Sequence, residues 1–188
     1  RGDLRIGQKR PFNNVDAMIL ARISYLPFFK IKLDKRDTIG TICQKMIDAK
    51  LLREDYHWPD DYDLVRNLVD ARRFKYMRVS DYVKNNSKEE ERQFSAITIH
   101  LSYSEMFLSY IGTDKTIVGW KEDFNMAFLD TIPAQQEGKK YLKRVRMKYP
   151  WKNIRMGGHS KGGNLSMSAS MTAPDSWQRN MLKIYNLD

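Results

Sequence analysis

Asn153-Ile154-Arg155-Met156-Gly157-Gly158-His159-Ser160-Lys161-Gly162-Gly163-Asn164 is the stretch from which the rest of the chain can be read. A short run able to form a buried strand leads into Gly158-His159-Ser160-Lys161-Gly162, and a small-residue helical segment, Leu165 to Met171, follows directly. Gly-x-Ser-x-Gly between a strand and a helix is the nucleophile elbow. Its serine sits on a strained turn that presents the hydroxyl to solvent, so the positions two before and two after it must lack bulk. Gly158 and Gly162 meet that need, and Gly163 lets the helix start close to the sheet. The helix N-terminus behind Ser160 adds N–H donors and a positive dipole end where negative charge develops. A phosphate-cradling loop needs its lysine after the last glycine and before Ser or Thr. Lys161 instead precedes Gly162-Gly163-Asn164, which excludes that reading.

The 188 residues make one domain's worth of chain, with 41% hydrophobic residues, enough for a sizeable core. No apolar run approaches the roughly 20 residues of a membrane span. Arg1-Gly2-Asp3-Leu4-Arg5 lacks the apolar centre of a signal peptide, and the single cysteine, Cys43, suits a reducing compartment. A cytoplasmic location is therefore expected, and no cofactor or metal is. The formal net charge of +10 is concentrated just before the elbow, at Lys139, Lys140, Lys143, Arg144, Arg146, Lys148, Lys152 and Arg155. Tyr141, Leu142, Val145 and Tyr149 interleave at helical spacing, which makes the basic residues the outer face of an amphipathic helix. That face is either simply solvated or attracted to anionic headgroups or another polyanion. Nucleic acid is not an expected partner, because no aromatic-basic groove or recognised motif accompanies the charge.

Along the chain, Asn13 or Asn14 caps a helix from Phe12 to Phe29 that Pro27 ends, and a second helix runs from about Thr38 to Leu52. Cys43 lies on the apolar face of the second helix and reads as core. His57 sits among carboxylates in Asp55 to Asp63, but the spacing fits no recognised metal-ligand pattern. Asp60 or Asp61 caps a third helix, carrying Tyr62, Val65, Leu68 and Val69. Asn85 to Glu91 reads as an exposed loop. From Gln93 the period becomes two: Ile97, Ile99 and Leu101 alternate with Ala96, Thr98 and His100, and Met106 to Ile111 returns as a partner strand. His100 reads as a packed strand histidine. The order of paired strands, helix, strand, helix, strand gives an α/β fold with a three-layer core over 76–188. A helical N-terminal region, 1–75, packs on it.

Two stretches together carry a resemblance. Tyr110-Ile111-Gly112-Thr113-Asp114, with Trp120 and Asp123, is similar to the strand and turn ahead of the nucleophile in class 3 lipases. The Gly-His-Ser-Lys-Gly-Gly-Asn elbow resembles the Mbeg1-like family of bacterial α/β-hydrolases. So do Asn13-Asn14-Val15-Asp16-Ala17, Gln93-Phe94-Ser95-Ala96-Ile97-Thr98 and Gly119-Trp120-Lys121-Glu122-Asp123-Phe124. The resemblance implies an α/β-hydrolase-like core and a Ser-His-Asp serine hydrolase of lipase or esterase type, acting on a small-molecule or lipid ester. Ser160 would be the nucleophile, and the Lys161 backbone N–H and Thr113 would form the oxyanion hole. His159 and Asp114 would meet substrate, and the Lys161 side chain would point outward.

The chain departs from the pattern at Ile111, where an arginine is usual, and in its triad. Acid and base should follow the nucleophile in the order Ser, Asp, His. His57 and His100 come too early, His159 belongs to the turn, and only Asp175 and Asp188 follow Ser160. The core is therefore expected to be incomplete over these residues, with acid and base beyond Asp188. The apolar stretch Phe124 to Leu129 is either core or a lid that meets an acyl chain. The competing reading is a catalytically inactive hydrolase fold that binds an acidic partner or membrane surface through its basic helix.

Overall fold

The computed structural model describes residues 3–7, 9–87, 89, 92–113 and 132–187. Three helices come first: α1 Asn14–Ile23, α2 Ile39–Asp48 and α3 Asp61–Asp70. Strands β1 Arg78–Ser87, β2 Arg92–His100 and β3 Glu105–Tyr110 follow. Helix α4 Pro133–Lys148, strand β4 Asn153–His159, helix α5 Lys161–Met171, a one-turn helix α6 Asp175–Gln178 and strand β5 Met181–Leu187 complete the order. The strands lie side by side in sequence order, antiparallel across β1-β2-β3 and parallel from β3 to β5. Parallel neighbours need a crossover. Helix α4 lies between β3 and β4 in the chain, and α5 between β4 and β5.

Strand alternation divides the core into two layers. Met106, Leu108 and Tyr110 join Phe94, Ala96, Ile154 and Met156 against Tyr141, Leu142 and Val145 of α4 and Leu165 of α5. Phe107, Ile97 and Ile99 face the other way, onto Ala17, Leu20 and Ile23 of α1 and the apolar faces of α2 and α3. Ser109 also points that way, and its hydroxyl donates to the Leu20 carbonyl at 3.0 Å. The result is a three-layer α/β core. Cys43 lies within it, its thiol pushed up to about 12 by burial.

Helix α1 begins at a reciprocal cap: Asn13 Oδ1 accepts the Asp16 N–H while the Asp16 carboxylate accepts the Asn13 N–H. The same carboxylate receives the Arg73 fork at 2.5 and 2.6 Å, with both side chains buried. Arg73 also donates to the carbonyls of Leu4 and Pro11, so one guanidinium anchors α1 and the chain ahead of it. The helix stops at Ile23, earlier than Pro27, because the Ser24 hydroxyl turns back onto the Ala21 carbonyl at 2.7 Å. Asp60 stands at the N-cap of α3 without a side-chain cap bond. Asp61 instead accepts the Trp58 N–H at 3.3 Å and the Arg22 Nε–H at 2.5 Å. Asn85, Asn86 and Ser87 are not loop but the end of β1, paired with Phe94, Gln93 and Arg92. The register shift between Ser80 and Val83, with Asp81 at φ 55°, breaks the alternation that would have revealed this strand.

Candidate active site

Strand β4 ends at His159 and α5 begins at Lys161, which leaves Ser160 alone at the corner. Its backbone is at φ 53°, ψ −124°, a conformation that glycine adopts freely and side-chain-bearing residues rarely do. The corner is held on both sides. Ser160 N–H donates to the Leu187 carbonyl of β5 at 2.8 Å, and the Ser160 carbonyl accepts from Gly163 N–H at 2.9 Å. Ser160 is exposed although β4 is buried up to Gly158.

The elbow can sit this low because its glycines admit the end of β3. A Cβ on Gly158 or on Gly162 would stand 2.3 Å from the Tyr110 carbonyl, and one on Gly112 would stand 2.4 Å from the His159 carbonyl. Residues 110–112 therefore lie directly against the turn, and Thr113, half-buried, follows at its mouth. The Gly112 peptide is fixed from two directions. Its N–H donates to Tyr25 Oη at 2.8 Å, and its carbonyl accepts from Gln93 Nε2 at 3.2 Å. Tyr25 Oη in turn donates to the His159 carbonyl at 3.4 Å, bridging the end of β3 to the elbow.

Lys161 corrects the sequence reading. Its side chain does not point outward: the residue is 1% exposed, and Nζ donates to Gln93 Oε1 at 2.5 Å. Helical side chains lean toward the N-terminus, and here that direction leads back under the turn to β2. Lys161, Gln93 and Gly112 thus form one chain of hydrogen bonds beneath the corner. Of these, Gln93 had no spacing signal of its own. It stands in the sequence as the polar head of an alternating strand, within a segment that carries the family resemblance but with no role attached to it.

The histidines separate. His159 is exposed beside Ser160. His57, too early in chain order for a triad, is folded up to the elbow in an aromatic group. It packs on Tyr25 (5.0 Å between ring centroids) and Trp58 (4.1 Å), and Trp58 lies 5.8 Å from His159. Arg22 lies over the Trp58 ring at 3.6 Å. Asp175 opens α6 ahead of β5, at the opposite end of the strands from Ser160. Asp114, Trp120, Asp123, the 124–129 stretch and Asp188 lie outside the described residues.

His100 is at that far end too, 7% exposed, with Nε2 2.8 Å from Ser80 Oγ. Burial, then the nearby positive charges of Arg78 and Lys152, pull its pKa down to about 4. An unfolded histidine titrates near 6.5. Between those values the unfolded chain binds a proton that the folded chain does not, so stability falls as pH drops through the window. Thermal melts from pH 7 to pH 4 are expected to show a fall in Tm that is much reduced in His100→Gln. An identical slope in the variant would place the cause elsewhere.

On the basic helix, Lys140, Lys143, Arg144 and Lys148 are exposed, while Arg146 is buried and donates to the Lys152 carbonyl at 2.8 Å. The charged face is thus narrower than the sequence suggests. Among the described residues no helix is long and apolar enough to cross a membrane.

The family model described as Mbeg1-like matches residues 68–188, from the end of α3 onward, and leaves α1 and α2 outside the match. No curated protein matches the chain. Among solved structures, a fungal lipase–inhibitor complex, reported as a model for interfacial activation in lipases, aligns at 11% identity with a TM-score of 0.40. The alignment covers 87% of this chain and 56% of that one, so the chain spans little more than half the lipase's length.

Proposed function

The chain belongs to the Mbeg1-like family, and from that premise we propose that it is a serine hydrolase of lipase or esterase type, with Ser160 as nucleophile. The observation that carries this reading is the Ser160 corner: an exposed hydroxyl at φ 53° between a buried parallel strand and a helix N-terminus. A non-glycine residue held there costs on the order of 1–3 kcal/mol, strain that a merely structural turn would shed by using glycine. In the reaction, Ser160 Oγ bonds to the acyl carbon of an ester as its proton passes to a base and then to the departing alcohol. Water next cleaves the acyl-serine, releases the carboxylic acid and restores the hydroxyl.

The backbone N–H of Lys161, in the first turn of α5, and Thr113 are assigned to the developing oxyanion. The close approach of Gly112 to the elbow supports this pairing, since it brings the β3 end and the helix start to one place. Donors so placed typically supply about 3–4 kcal/mol. His159 and Asp114 are assigned to substrate contact.

Reaction with a fluorophosphonate, read by intact mass, tests the proposal. An adduct is expected on the full-length protein and none on its Ser160→Ala variant. Uptake of no probe by the full-length protein would remove the hydrolase reading and leave binding through the basic helix as its replacement.

A further inference from the structure

An apolar cavity of about 290 Å³ opens beside the elbow, lined by Met18, Ile19 and Ala21 of α1, Trp58, Leu64 of α3 and Leu187 of β5, with Arg22 and His159 at its rim. We infer that it holds the acyl chain of the ester, and that the helical region ahead of the family match therefore sets which esters the protein accepts. This rests on Ser160 being the nucleophile.

Three observations carry the assignment. The first is continuity with the reacting atom. Leu187 lies opposite His159 in the β4–β5 register, and its carbonyl holds the Ser160 N–H at 2.8 Å. A chain leaving the acyl carbon at Ser160 thus meets the apolar wall at Leu187, on the strand beside it. The second is charge. The cation at the rim, Arg22, is already bonded to the buried Asp61 carboxylate at 2.5 Å and stacked on Trp58. What remains is a neutral apolar surface, suited to a hydrocarbon rather than to a phosphate or carboxylate. The third is size. At roughly 30 Å³ per methylene-sized group, the figure for a water's share of liquid volume, the cavity takes on the order of eight to ten carbons. Met18 is 58% exposed and Leu64 is half-buried, so the cavity is entered from solvent between α1 and α3.

The origin of the walls gives the inference its consequence. Every lining residue except His159 and Leu187 precedes residue 68, whereas the elbow, β3 and Gln93 lie within 68–188. The nucleophile belongs to the family-matched part, and the chain-length selector belongs to the helices laid over it.

The test uses fluorophosphonates with ethyl to hexadecyl chains against the intact protein, with labelling of Ser160 followed over time. The rate constant is expected to rise about fourfold per added methylene up to eight to ten carbons and then level off. Met18→Trp and Leu64→Trp, both at solvent-reached positions, are expected to shift that optimum to shorter chains, read as each probe's rate relative to that of the ethyl probe on the same variant. A second arm titrates octanol calorimetrically into Ser160→Ala, with expected saturable binding that Leu64→Trp abolishes. Labelling of Ser160 without chain-length preference, together with no octanol binding, would overturn the cavity assignment and leave the hydrolase reading standing. Octanol binding without labelling by any probe would leave an apolar site but overturn both the hydrolase reading and the acyl-chain assignment that rests on it. A chain-length preference that neither tryptophan variant shifts would place the acyl chain elsewhere and also overturn the assignment.

Discussion

Ser160→Gly is expected to make the protein more stable, by about 1 kcal/mol, while removing all reaction with fluorophosphonate. The two effects have one cause. At φ 53°, ψ −124° a Cβ meets the flanking backbone, a strain on the order of 1–3 kcal/mol that glycine does not feel. Against this stands the extra freedom of an unfolded glycine, roughly 0.5–1 kcal/mol, which leaves the net gain near 1. Ser160→Ala is the needed companion, because it removes the hydroxyl but keeps the Cβ. Its labelling is expected to vanish without a gain in stability. Denaturant midpoints of the three proteins separate the terms. If the glycine variant were no more stable than the alanine one, the corner would not be strained, and the chief physical reason for reading Ser160 as a nucleophile would fall away.

That corner was legible in the sequence because its constraints are local. Gly158 and Gly162 are required by contacts that the turn makes with whatever strand lies beneath it, so spacing alone announces them. Strands β2 to β4 were legible for a similar reason, through alternation and a buried run. The same holds for the cap at Asn13, where the signal is a polar side chain at the head of an apolar stripe. What was not legible depends on contacts between residues far apart in sequence. Strand β1 hides behind a bulge at Asp81 and a polar end that reads as loop. Tyr25 reaches Gly112 across 87 residues, and Trp58 and Leu64 come to the elbow only because α3 packs where it does. His57 was set aside on chain order, yet order says nothing about which helix covers the turn. Lys161 was misplaced because charge is a sound guide to exposure only where no partner waits inside, and Gln93 waits there.

Gln93 is also why Lys161→Met is expected to slow the chemistry about a hundredfold without greatly changing substrate affinity. Methionine fills much of the same volume, so packing under the turn is kept, but the donor to Gln93 Oε1 is gone. The Gln93 amide, whose Nε2 holds the Gly112 carbonyl at 3.2 Å, then loses the contact that orients it. Gly112 precedes Thr113, so a peptide held only on its Tyr25 side lets the assigned oxyanion donor shift out of line. A displacement near 1 Å at such a position costs about a hundredfold in rate. Lys161 on this account is a positioning residue, acting through Gln93 and never touching the ester. Gln93→Leu, which cuts the same chain of hydrogen bonds one step later, is expected to reproduce the loss, and the double variant is expected to add little to either. Esterase kinetics on the four proteins decide it. A fall confined to kcat, shared by both single variants and not compounded in the double, is the expected pattern. Losses that multiply in the double variant would show that Lys161 and Gln93 act separately. A rise in KM with kcat intact would show that the buried lysine shapes the binding surface rather than the oxyanion hole.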